Sequence, residues 1–209
     1  MNNILVISPH PDDESIGCGG TLMKHVKEGD QIEIAFLTSG ENGSKNILPE
    51  KLARIREKEA QQVAKSSGFQ KIEFWREPDG KLKAHSKLVA RMQEKLLENK
   101  PDLIYVPHAH EMYPDHCAAA RIVKRAFKKL PHSLKKPQIL MFEVWTPIQK
   151  IDHIVDISDY IKYKMAAIRM YKSQCRLVKF NQAFLGLNRY RGEMHSWPGG
   201  DYAEVFTYG

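Results

Sequence analysis

The chain has 209 residues, which is room for one sizeable domain and not comfortably for two. Its 42% apolar content supports an ordinary buried core, and no stretch approaches the roughly 18 consecutive apolar residues of a membrane span. The net charge of +7 invites a nucleic-acid partner, but none is expected, because Lys51, Arg54, Arg56 and Lys58 alternate with Glu50, Glu57 and Glu59 as on a solvated helix face.

Residues 3–8 read as a short, continuously apolar strand of the kind buried on both faces in a parallel sheet. No basic region or small-residue cleavage site accompanies it, so a cytoplasmic setting is expected. A polar turn from Pro9 to Glu14 leads through Gly17-Cys18-Gly19-Gly20 into a helix running to Glu28 and stopped by Gly29-Asp30. Gln31 to Leu37 is a second strand, and Pro49 opens a helix that Gly68 closes. Lys71 to Trp75 is a third strand, followed by the turn Glu77-Pro78-Asp79-Gly80 and a helix from Ser86 to Asn99. Leu103 to Val106 is a fourth strand, before a histidine-rich loop and a helix from Pro114 to Leu130. That helix carries a more one-sided run, Lys124, Arg125, Lys128 and Lys129, which could steer an anionic substrate but reads first as a soluble exterior. Strands over 138–145 and 153–156, a helix over 158–173, and a tail rich in Gly, Tyr and Trp complete the chain.

This alternation predicts an α/β fold: a single-domain, Rossmann-like, mainly parallel sheet with helices on both faces. The domain spans 1–209, and its irregular C-terminal tail, about 174–209, is expected to close over the active-site side. Ligands in such sheets bind beyond the carboxyl ends of strands where the strand order switches, and here the first and fourth strands are expected to meet. The three cysteines form no C-x-x-C pair, against both a cysteine metal site and a disulfide framework. Cys117 adjoins His116, but neighbours on a helix point about 100° apart, so a packed, reduced thiol is expected.

Two loops carry the chemistry. In Ser8-Pro9-His10-Pro11-Asp12-Asp13-Glu14, one histidine and three acids would repel and desolvate poorly without a cation. His10 and Asp13 could both face one ion, and such N and O donors suit zinc without excluding iron, manganese or cobalt. A solvated helix cap is the other reading. In the second loop Pro114 fits a first helical turn, which places Asp115 and His116 at the positive helix end. His116 would complete a two-histidine, one-carboxylate site with a position left for water.

At these residues the chain resembles the LmbE/PIG-L-like family of zinc-dependent N-deacetylases, which act mostly on N-acetylglucosamine conjugates. The strand followed by His-Pro-Asp-Asp-Glu stands as His10 to Glu14, and the family's His-Pro-Asp-His as Tyr113-Pro114-Asp115-His116. Weaker matches include Thr38 to Gly43, Arg56-Glu57 with Ala60, Asp156-Ile157-Ser158, Ser173-Gln174 and Tyr202 to Phe206, so the likeness covers nearly the whole chain. It implies His10, Asp13 and His116 as ligands of Zn²⁺ or another divalent transition metal, and Asp12 as general base. An unbound carboxylate suits the base, because one bound to the metal has lost much of its basicity. Glu14 and Asp115 are expected to orient the site.

Tyr113 departs from the family, which has histidine there. Either its phenol serves as donor, or His108, His110 or His195 takes the role. Arg56 matches a family arginine and is expected to bind substrate oxygens, with a plain helix-face role as the alternative. Trp145, Tyr190 and Trp197 could offer apolar faces to a sugar. The expected partner is a small N-acetylated sugar conjugate; a homo-oligomer could supply further wall residues. The alternatives are a deacylase of a non-sugar amide and a non-catalytic nucleotide- or nucleic-acid-binding Rossmann-like domain. The first turn argues against the nucleotide, since its three carboxylates would repel a pyrophosphate.

Overall fold

The computed structural model describes residues 1–195 and 200–209. It contains β1 (Asn3–Ser8), α1 (Asp13–Lys27), β2 (Gln31–Phe36), α2 (Pro49–Ser67), β3 (Lys71–Phe74), α3 (Ser86–Asn99) and β4 (Leu103–Pro107). There follow α4 (Pro114–Lys128), β5 (Gln138–Phe142), β6 (His153–Asp156), α5 (Ile161–Met170), α6 (Lys172–Cys175), α7 (Phe180–His195) and β7 (Ala203–Tyr208). The strands form one sheet in the order β3-β2-β1-β4-β5-β7-β6. β3 to β5 pair in parallel, and β7 runs antiparallel to both β5 and β6. The strand order reverses between β1 and β4, so the loops after them share one crevice.

The apolar runs follow from a sheet covered on both faces. Ile4 and Val6 of β1 pack with Ile16 and Leu22 of α1, Val63 of α2 and Met165 of α5. Leu5 and Ile7 point the other way, into a second core with Met92 of α3 and Ile122 of α4. In α1 the glycines serve packing. A Cβ on Gly17 would stand 2.1 Å from the Phe142 ring and one on Gly20 2.7 Å from Ile157, so only a bare backbone lets the helix approach this closely.

The tail differs from expectation. The segment read as irregular holds the end of α6, the whole of α7 and strand β7, which enters the sheet between β5 and β6. The strand expected over 138–145 ends at Phe142, because Glu143 turns to a bidentate pair with Arg191 at 3.1 and 2.7 Å. The helix expected over 158–173 starts at Ile161 and breaks at Tyr171.

β7 is tied to the first helix by Glu204, which is 1% exposed. It accepts from the Gly20 and Thr21 amides at 2.9 and 2.7 Å, from the Thr21 hydroxyl at 2.6 Å and from Lys164 Nζ at 2.6 Å. Removing one partner of a buried ion pair strands the other, so Glu204→Ala is expected to lower unfolding stability by about 3–5 kcal/mol. Denaturant titration measures this, and a loss below about 1 kcal/mol would show that the network is not needed.

Candidate active site

The loop between β1 and α1 is bent by an uncommon backbone. Asp12 has φ 132° and ψ −26°, outside the ordinary regions for a residue with a side chain. Conformations of this kind cost about 1–3 kcal/mol and persist where the surroundings hold them. The hold here is Glu14, which accepts from the Asp12 amide at 3.2 Å and is itself fixed by Ser15 at 2.7 Å and the Tyr171 hydroxyl at 2.6 Å. Burial pushes the Glu14 carboxyl up despite these bonds.

The bend brings three donor atoms together at the crevice floor. His10 Nδ1 lies 3.2 Å from Asp13 Oδ2, His116 Nε2 lies 3.3 Å from the same oxygen, and the two nitrogens are 3.3 Å apart. Three ligands at about 2.0–2.1 Å from a tetrahedral ion are about 3.3 Å apart, so this triangle matches one face of such a shell. The set could therefore hold a metal, and two of its members, His10 and Asp13, line the cavity. Burial opposes ionisation of Asp13, yet His116 and His10 hold its carboxyl well below the usual range.

The far nitrogen of His10 faces two more acids, Asp79 Oδ1 at 3.0 Å and Asp115 Oδ2 at 3.4 Å. Both hold loop backbone as well. Asp79 accepts from the Asn42 amide at 2.8 Å, and Asp115 from the Gly80 and Leu82 amides at 2.7 and 3.1 Å. These commitments make them carboxylates that orient the imidazole. Burial alone would lower the His10 pKa, but Asp115, Asp13 and Asp79 together raise it well above its ordinary value. Sequence reasoning did not single out Asp79, whose turn carried no chemical signature.

Asp12 stands beside the triangle. Burial pushes its carboxyl up to about 8, with Arg56 pulling the other way and Asp13 and Glu14 adding to the rise. Arg56 is buried and donates to Asp12 Oδ1 at 3.0 Å, to the Pro11 carbonyl at 2.7 Å and to the Gly40 carbonyl at 3.0 Å. Its guanidinium thus locks the first loop to the loop after β2, a role neither expectation for it described, although it also lines the cavity.

The cavity measures about 420 Å³ and is lined by His10, Asp12, Asp13, Arg56, Tyr113 and Asp115, among others. The Tyr113 ring lies between His116 and Trp145, with centroids 6.0 and 5.0 Å away. The three histidines considered in its place are not among the lining residues. His108 is buried and bonded to the Thr146 carbonyl at 2.7 Å, His110 is exposed, and His195 ends α7 with its ring against Tyr190. Trp145 does line the cavity; Trp197 lies outside the described residues.

Glu111 is a second residue that sequence reasoning passed over. It is buried and gathers the amides of Val144, Trp145 and Thr146 at 2.6–3.1 Å, with Oε2 3.9 Å from His116 Nδ1. It therefore fixes the loop after β5 beside the site. A lone acid in a histidine-rich loop gave no sign of this.

A family profile described as PIG-L, GlcNAc-PI de-N-acetylase, matches residues 5–127. The chain is 27% identical to diacetylchitobiose deacetylase of Thermococcus kodakarensis, over 83% of this chain and 70% of that protein. It is also 27% identical to a probable N-acetyl-alpha-D-glucosaminyl L-malate deacetylase 2 of Bacillus cereus, over 82% and 83%. The crystal structure of a conserved protein from Thermus thermophilus superposes with a TM-score of 0.86 at 31% identity, covering 100% of this chain and 94% of that one.

Proposed function

The chain belongs to the PIG-L family, and from that premise we propose that it is a metal-dependent N-deacetylase, zinc being the metal, acting on an N-acetylglucosamine-type conjugate. The observation that carries the reading is the triangle of His10, Asp13 and His116 at the cavity floor with an unliganded carboxylate, Asp12, beside it. The likeness to a deacetylase of Thermococcus and to a probable deacetylase of Bacillus supports the reaction class.

His10, Asp13 and His116 would hold the ion. Bound there, a divalent ion polarises the acetyl carbonyl and lowers the pKa of an attacking water toward ~7. Asp12 takes a proton from that water through Oδ2, the oxygen that Arg56 leaves open, and returns it to the departing amine nitrogen. Burial strengthens the carboxylate as a base, and Arg56 keeps it aimed. Tyr113 donates its phenol hydrogen to the oxygen on which negative charge develops, in place of the family's histidine. Asp79 and Asp115 hold the ring of His10.

The test is amine release from a panel of N-acetylated sugars and N-acetylated amino acids, before and after chelation. Release from the sugars is expected, with loss on chelation and recovery on adding zinc. Release from amino acids alone would move the assignment to a non-sugar amide, and chelator-resistant turnover would remove the metal.

A further inference from the structure

The two histidines of the triangle are held unequally, which matters if, as proposed above, they are metal ligands of a deacetylase. His10 turns Nδ1 to Asp13 and gives its far nitrogen to Asp79 and Asp115 at 3.0 and 3.4 Å. His116 turns Nε2 to Asp13, and its far nitrogen, Nδ1, is buried without a hydrogen-bond partner among the described residues. The residue is fully buried, and a donor there is costly to leave unpaired. Among the described residues one carboxylate approaches Nδ1, that of Glu111, with Oε2 at 3.9 Å.

A neutral imidazole has one N–H and one lone pair, and ligation uses the lone pair. With Nε2 at the triangle, the proton of a ligating His116 belongs on Nδ1, and a carboxylate facing Nδ1 favours that tautomer. At 3.9 Å the attraction is electrostatic rather than a hydrogen bond. Glu111 has the capacity for it. Oε1 takes the Val144 amide at 2.6 Å, Oε2 takes the Thr146 amide at 3.1 Å, and both share the Trp145 amide at 3.1 Å. A carboxylate offers about four acceptor sites, so these three donors do not exhaust it. Its place is also fixed from behind. The Cys117 thiol donates to the Glu111 carbonyl at 2.9 Å, and His108, bonded to the Thr146 carbonyl, stands 3.4 Å from Oε1. One carboxylate therefore faces a ligand of the triangle and, through a backbone amide, anchors Trp145 in the cavity lining.

We propose that Glu111 is a positioning residue that sets His116 in the tautomer ligating through Nε2 and, with the same side chain, holds Trp145 in the cavity wall. The test is Glu111→Gln, which keeps the length of the side chain and replaces one acceptor oxygen with a donor. Zinc affinity, measured by competition with a chromogenic chelator, should fall by about 10–100-fold, the range for an outer partner of a ligand. Thr146→Val is the control: it removes the hydroxyl that accepts the Met112 amide at 2.9 Å, loosening the same loop with Glu111 in place. Its zinc affinity should stay near native, and an equal loss in both variants would assign the effect to the loop and overturn the proposal. Proton–nitrogen correlation spectra of the zinc-loaded native protein should show the His116 proton on Nδ1, far downfield and slow to exchange. A proton on Nε2, or one on Nδ1 that exchanges freely, overturns the proposal without any variant. The emission of Trp145, isolated by difference from Trp145→Phe, should shift to the red in Glu111→Gln, and unchanged emission overturns the link to the wall. None of these readouts is turnover. A native enzyme that binds zinc but releases no amine sinks the deacetylase reading alone, whereas native zinc affinity in Glu111→Gln sinks this proposal alone.

Discussion

Asp12→Asn is expected to cut turnover by about a hundred- to ten-thousand-fold, the range that a general base contributes, while metal content stays at the native level. Asparagine keeps the shape of the side chain and tolerates positive φ better than most residues, so the loop at φ 132° should survive. Its side-chain oxygen can still accept from Arg56, which also keeps the Pro11 and Gly40 carbonyls. What the variant loses is a carboxylate that burial has made avid for a proton, raised to about 8. Metal analysis alongside initial rates separates the two roles. Residual activity above about a tenth of native would reassign the base, and loss of the metal would make Asp12 a ligand.

The proposed ligands were legible in the sequence because each stands in a short local pattern. His10 and Asp13 are three residues apart in a proline-bounded turn, and His116 follows a proline that starts a helix. Apolar runs placed β1 and β4, whose residues serve both cores at once. The partners of those ligands were not legible. Asp79 reaches His10 only because the loops after β2 and β3 are laced by Asn42 and Glu41, and no pattern within either loop records that. Glu111 looks like a surface acid until the strand after it peels away and offers three amides. Helix α7 was missed for a local reason. Gly186 and Gly192 interrupt it, and glycine in a helix interior argues against a helix unless packing calls for it. At Gly192 packing does: a Cβ would stand 2.5 Å from the Asp201 backbone.

Asp13→Ala should behave oppositely to Asp12→Asn, losing the metal first and the activity as a consequence. Oδ2 of Asp13 is the vertex that both imidazole nitrogens face, and it also accepts the His10 amide at 2.9 Å. Outer partners of metal ligands are worth about 10–100-fold in affinity, so a ligand that also anchors its neighbour should exceed about a hundredfold. The metal-free native protein adds a pH signature. Burial works against it, yet Asp115, Asp13 and Asp79 hold the His10 pKa well above its ordinary value, which biases the ring toward its protonated form. A metal needs the neutral ring, so uptake must expel that proton, and affinity must rise with pH until His10 deprotonates unaided. Titrating zinc in buffers of different ionisation enthalpy, from about pH 6 to about pH 8.5, measures both the affinity and the protons released. Affinity that stays flat across that span would place the ion away from His10. Native-like zinc retention in Asp13→Ala would dismantle the triangle itself.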